Sequence, residues 1–277
     1  MDRAVSGADR AGWEVVEVAC EEARRLLGPD LASVYAIGSL AHGGFTAAAS
    51  DIDVALLVEP GKSAGAAVER IAARARSVCD DGLGSRLSIF HAPWPLDRTP
   101  APPSRFPAID RLDLLEHGRL VFGDDRRDAF ATPPPVAEIR AEAVRFSLAG
   151  SDPDAVAGLD VATAGVRGTT KAILAPVRLW WLVEHGRVVG NDEAVAGYLA
   201  EAGLPHGPLV AAALAWRREG RIEDVEGAQR LMDEGALGLY ARILARVAAR
   251  DEIPEAAELA ALADRFDRAR VRASSGR

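Results

Sequence analysis

Apolar and polar positions fall into two regimes along the chain. In the first half, short apolar runs alternate with helical spacing. Over 9–27, Trp13, Val16, Cys20, Ala23 and Leu27 recur every three or four residues, which predicts an amphipathic helix stopped by Gly28-Pro29. The run 31–39, LASVYAIGS, reads as a strand ending at a glycine-rich turn, HGGF. A second strand, 51–59, is apolar beyond its first carboxylates and closes at Pro60-Gly61. Residues 63–79 place Val68, Ile71, Ala75 and Val78 on one helical face, and SRLSIFH, 85–91, reads as a third strand. Strand, turn, strand, helix, strand is the order of a mixed α/β layer.

Six prolines between 93 and 107 predict irregular extended chain, either a lid or a strap. A short helix, 109–117, and a short strand, 119–123, follow, and Asp124-Asp125 reads as a solvated turn. Pro133-Pro134-Pro135 marks the expected boundary, giving domains of 1–135 and 136–277. Beyond it the spacing is helical throughout: 137–149, 154–185, 191–202, 206–219, 227–249 and 255–270, with 273–277 expected to fray. The expected class is α+β, an N-terminal mixed sheet with helices followed by an all-helical C-terminal domain.

A chain of 277 residues suits two domains. Its formal charge is −8, from 33 basic and 41 acidic residues, which disfavours a nucleic-acid partner but leaves room for a small anion on a local patch. Cys20 and Cys79 cannot build a disulfide framework or a cysteine zinc site, and no secretory or membrane-spanning run is present, so a reduced, cytoplasmic setting is expected. The five histidines lack the H-x-x-x-H spacing of a zinc helix. His42 and Trp94 are candidates for touching a phosphate, base or sugar. Neither a Walker loop nor a G-x-S-x-G elbow occurs.

The chemistry concentrates in IGSLAHGGFTAAASDIDVALLVE, 37–59. Gly38-Ser39 ends one strand, and after eleven intervening residues, the last of them Ser50, Asp51-Ile52-Asp53 opens the next. Residues two apart on a strand share a face, so Asp51 and Asp53 present paired carboxylates. Such a pair needs a cation between its members, and magnesium suits it, being held by one or two carboxylates together with phosphate oxygens. Gly38 allows close backbone approach, Ser39 offers a hydroxyl, and Gly43-Gly44 leave amides uncovered.

Gly-Ser, a loop and Asp-x-Asp together resemble the nucleotidyltransferase superfamily. More narrowly, AIDRLDLLEHGRLVFG (108–123) and APVRLWWLVEHGRVVGNDEAVAGYL (175–199) are similar to segments of the streptomycin/spectinomycin-type aminoglycoside adenylyltransferases. The resemblance implies a nucleotidyltransferase-fold first domain, a helical second domain, and ATP with Mg2+ in the cleft between them. It implies transfer of an NMP group, AMP from ATP, to a hydroxyl of a small acceptor. Asp51 and Asp53 match the metal ligands and Gly38 and Ser39 the triphosphate contacts, and Ser50 is expected to hold the triphosphate with them. Arg178 matches a phosphate-binding arginine. Lys171, one of only two lysines, lies seven residues earlier on the same predicted helix face.

The pattern also departs from that family. Its third carboxylate, the general base on the third strand, matches Arg86, or Ser88 with a two-residue slip. Asp80, Asp81, Asp110 and Asp113 are the nearby acids that could serve instead. Asn191 stands where the family has a phosphate-binding lysine, with Arg187 close by. Ala164 and Gly168 replace acids that recognise cationic acceptors. A local positive patch is expected from Mg2+, Arg178, Lys171 and Arg86. Beside the enzyme stand two alternatives, a nucleotide-binding pseudoenzyme or regulatory module, and an enzyme that nucleotidylates a protein.

Overall fold

In the computed structural model, residues 7–79, 82–96, 104–129, 133–201, 204–250 and 252–275 are described. Asp80, Asp81 and three of the strap prolines (Pro100, Pro102, Pro103) lie outside them. The chain divides into two units, Met1–Pro134 and Pro135–Arg277.

In the first unit, the near-continuous apolar runs become the central strands of one sheet, β1 (Leu31–Ile37) and β2 (Ile52–Val58). Every residue of β1 is buried, and Asp53 is the one break in β2. With β3 (Leu87–Pro93) and β4 (Arg119–Gly123) the order is β3-β2-β1-β4. β1 runs antiparallel to β2 and β4. β2 and β3 are parallel, a pairing that needs a crossover connection, here through a helix, α3 (Gly65–Val78). Helix α1 (Gly7–Leu27) and α3 cover one face, packing Val16, Ala19 and Ile71 on Val34, Ala36, Val54 and Ile89. Tyr35, Ile37, Ala55, Leu57 and Phe90 fill the other face beneath Leu114 of helix α4 (Ala108–His117) and beneath Leu96 and Phe106. Strands buried on both faces have no polar alternation to show. A one-turn helix, α2 (Ser39–His42), leads from β1, which ends two residues before the expected Ser39, into the glycine-rich turn HGGF.

The proline-rich segment is a strap where it is described. Arg105 pairs backbone to backbone with His91 in both directions, at 2.8 and 3.0 Å, and Phe106 is buried. Asp124-Asp125 is more than a solvated turn. The Ser33 hydroxyl donates to the Asp124 carbonyl at 2.6 Å, and the Tyr35 hydroxyl accepts from Arg126 N–H at 2.7 Å. The Arg127 guanidinium holds the Asp125 carboxyl down at about 2.

The second unit is helical: α5 (Val136–Gly150), α6 (Pro153–Ala157), α7 (Val161–His185), α8 (Asn191–Ala200), α9 (Gly207–Glu219), α10 (Val225–Ala248) and α11 (Ala256–Ser275). One core joins Trp180, Tyr198, Ile243 and Phe266 around α7 and α10. The single helix expected over 154–185 is two, because Asp160 caps α7 by accepting from Thr163 N–H at 2.7 Å. Within α7, Gly165 is non-helical, with φ 60° and ψ −171°. Helix α11 continues to Ser275, through much of the stretch expected to fray. No helix among the described residues is long and apolar enough to cross a membrane.

Candidate functional site

The site of the first unit is built around Gly38. Strand β1 ends at Ile37, whose ladder partner on β2 is Asp53. Gly38 then takes φ 69° and ψ −156°, a conformation that side chains strain. A Cβ here would lie 2.5 Å from Asp53 Oδ2, so the Asp53 carboxylate rests against the Gly38 backbone. The Gly38 carbonyl accepts from Ala41 and His42 N–H at 3.0 and 3.1 Å, which turns the chain into α2 and sets Ser39 at its start. His42 packs edge-on against His117, with ring centres 5.4 Å apart.

The loop into Asp51 is held from behind. Ala49 and Ser50 N–H donate to the Thr46 carbonyl, and buried Ser50 accepts from Thr46 N–H through its hydroxyl at 3.0 Å. Arg86 donates to the carbonyls of Ala47 at 2.6 Å and Ser50 at 3.1 Å. Its guanidinium therefore pins the turn that presents Asp51. Arg86 lies in a 3-10 turn, Leu83–Arg86, ahead of β3. The parallel ladder pairs Asp53 with Ser88. Of the two third-strand positions read from sequence, Ser88 is the one beside Asp53.

Of the four nearby acids, Asp113 is brought to the Gly38 backbone. It sits on α4, is 5% exposed, and its Oδ2 accepts from Gly38 N–H at 2.5 Å. Its Oδ1 is buried with no hydrogen-bond partner. Gly38 thus touches both acids, and the Asp53 and Asp113 carboxylates lie within about 7.5 Å of each other. Little in the sequence marks Asp113 out, because Arg111 to Leu114 are all buried and show no clean period.

Asp51 and Asp53 offer oxygen donors of the kind magnesium takes. Two carboxylates suit an ion that shares its shell with phosphate oxygens rather than one caged by protein alone. No group of three or more His, Cys, Asp or Glu among the described residues is arranged to hold a metal. The second oxygen of Asp113, buried close to Asp53, has no hydrogen-bond partner, and a buried polar atom in that state favours a donor or cation nearby.

Lys171 and Arg178 belong to the second unit. Both are exposed on α7, two turns or about 10.5 Å apart along the axis. Pro176 lies between them and has no N–H for the Ala172 carbonyl. The Tyr240 hydroxyl donates to that carbonyl instead, at 2.8 Å. Asn191 is the first residue of α8, and Arg187 is exposed.

No protein-family model and no curated protein sequence matches the chain. Among solved structures, the fold is similar to that of spectinomycin adenyltransferase AAD(9) from Enterococcus faecialis, crystallised with ATP and spectinomycin. The TM-score is 0.57 at 13% identity, over 79% of this chain and 98% of that one. The likeness is one of fold.

Proposed function

We propose that this chain is a nucleotidyltransferase that moves AMP from ATP to a hydroxyl of a small acceptor and releases pyrophosphate. The observation that carries the reading is the Asp53 carboxylate seated against Gly38, with Asp51 two residues before it. It occurs in a fold similar to that of an enzyme crystallised with ATP. In this reading Asp51 and Asp53 hold magnesium jointly with the triphosphate. Gly38 and Ser39 line the phosphates, and Lys171 and Arg178 supply phosphate-binding cations. Ser50 and Arg86 act from behind by fixing the turn that aims Asp51. Magnesium, when bound, neutralises charge developing on the phosphates, and phosphoryl-group chemistry depends mainly on that and on positioning. Ala164 and Gly168, which stand in place of acids, favour an acceptor that is not selected for positive charge.

The test is incubation with α-labelled ATP, Mg2+ and a panel of aminoglycosides and neutral polyols. A labelled, acceptor-dependent product that disappears in Asp51→Asn and Asp53→Asn is expected. Saturable ATP binding without product from any acceptor would overturn the enzyme reading. Ser88, a non-acid beside Asp53, favours one second reading, a nucleotide-binding pseudoenzyme. Calorimetry separates the two, since a pseudoenzyme binds ATP with little dependence on Mg2+ or on Asp51.

A further inference from the structure

We propose that Asp113 is a positioning residue of the Asp51/Asp53 cation site, an outer carboxylate delivered from α4 where β3 supplies none. The inference rests on the nucleotidyltransferase reading. Its support is a chain of two contacts, one backbone conformation and one missing contact. Asp113 Oδ2 holds Gly38 N–H at 2.5 Å. The Gly38 backbone in turn abuts Asp53 Oδ2, so closely that no Cβ would fit between them. Gly38 itself occupies a conformation that glycine adopts freely and that a side chain would strain. Asp113 therefore sets the peptide against which the Asp53 carboxylate is oriented.

The missing contact concerns charge. Asp113 is almost wholly buried, and its second oxygen has no donor. A carboxylate kept in that state is costly unless something compensates it. Asp53 precedes Ala55 by two residues and so shares its side of β2, the side that Leu114 of α4 covers. The field of Asp113 thus falls on the same face as the cation site, within about 7.5 Å of Asp53. On the neighbouring strand, Ser88 faces Asp53 without charge. An acid on a helix then does from outside the ligand set what a strand acid would do from within it. Outer carboxylates of this kind typically change metal affinity by about 10- to 100-fold.

The variant Asp113→Asn keeps the size and retains an acceptor for Gly38 N–H while removing the charge. Mn2+ affinity is read by electron paramagnetic resonance titration of the full chain with a non-hydrolysable ATP analogue. Asp113→Asn is expected to weaken Mn2+ binding about tenfold or more, with analogue binding in the absence of metal unchanged. Ser88→Asp added to Asp113→Asn returns a charge beside Asp53 and is expected to restore Mn2+ binding. A purely structural role for Asp113 would not be rescued from another strand. Unchanged Mn2+ affinity in Asp113→Asn, or no rescue by Ser88→Asp, overturns the inference. Should Asp113→Asn not fold, Asp113→Ser, which also keeps an acceptor, takes its place with the same expectations. If the wild type fails to bind Mn2+ with the analogue, or Asp51→Asn binds it equally well, the nucleotidyltransferase reading falls and this inference with it. If Asp51→Asn loses binding and Asp113→Asn does not, the inference alone falls.

Discussion

Single residues in this site act through the backbone as much as through their own chemistry. Gly38 combines a positive φ with a 2.5 Å approach to Asp53, so any Cβ both strains the turn and displaces a carboxylate. Gly38→Ala is expected to fold and to lose about 10²-fold in transfer rate, the scale of a displacement near 1 Å at a reacting centre. Labelled-ATP turnover alongside circular dichroism checks both halves of that expectation. Arg86 and Ser88 make a sharper contrast. A carboxylate at Ser88 enters the ladder beside Asp53, whereas one at Arg86 loses the bonds to Ala47 and Ser50. Ser88→Asp is expected to raise the transfer rate by about 10²-fold where deprotonation of the acceptor limits it. Arg86→Glu should lower both rate and melting temperature, since two carbonyls lose a charged donor, at roughly 1–3 kcal/mol. A rate gain in Arg86→Glu but not in Ser88→Asp would contradict this register. Asp51, Asp53, Gly38 and Ser39 were legible in sequence because their spacing is itself the message. Asp113 was legible only as one of four nearby acids, because what singles it out is a contact 75 positions away.

Elements were legible where one physical rule decides them. The strands of the first unit stand close to where apolar runs placed them, and the helices follow their apolar spacing. The exceptions have local causes. The break before α7 comes from the Asp160 cap, which an apolar count passes over. The distortion at Gly165 comes from a backbone that only glycine adopts easily. Pro176 was expected within a helix, yet how α7 tolerates it could not be read without Tyr240. That residue is nearly buried, stacks on Phe266 at 4.7 Å, and has its hydroxyl pushed up to about 12 by burial. Tyr240→Phe keeps the stack and leaves the Ala172 carbonyl without its donor, which should cost about 1–3 kcal/mol. Pro176→Ala restores an N–H for that carbonyl, so the double variant should regain much of the loss. Urea denaturation of the four proteins in the cycle measures it. Additive losses would mean that Tyr240 does not serve the proline.

At the scale of the whole chain, each unit has a separate core, and each carries a histidine that folding holds neutral. In the first, His91 is 5% exposed, and its burial and then the nearby Arg105 lower its pKa below the ordinary 6.5. In the second, His206 has φ 63° and lies against α10, where a Cβ at Gly238 would meet its Nε2 at 2.5 Å. Burial, followed by Arg270, lowers its pKa as well. The unfolded chain therefore takes up protons near pH 6.5 that the folded chain resists. Stability is fully present above 6.5, declines as pH falls through that value, and levels off only below the depressed folded pKa of each group. The slope is at most about 1.4 kcal/mol per pH unit for each histidine. Because one such group sits in each unit, both units should weaken, and the −8 balance offers no exemption, since carboxylates titrate lower. Melting temperatures between about pH 8 and pH 5.5 should fall in the wild type. The slope should flatten partly in His91→Gln and in His206→Gln, and further in the double variant. A slope that neither substitution changes would assign the acid sensitivity to other groups and remove the histidines from it.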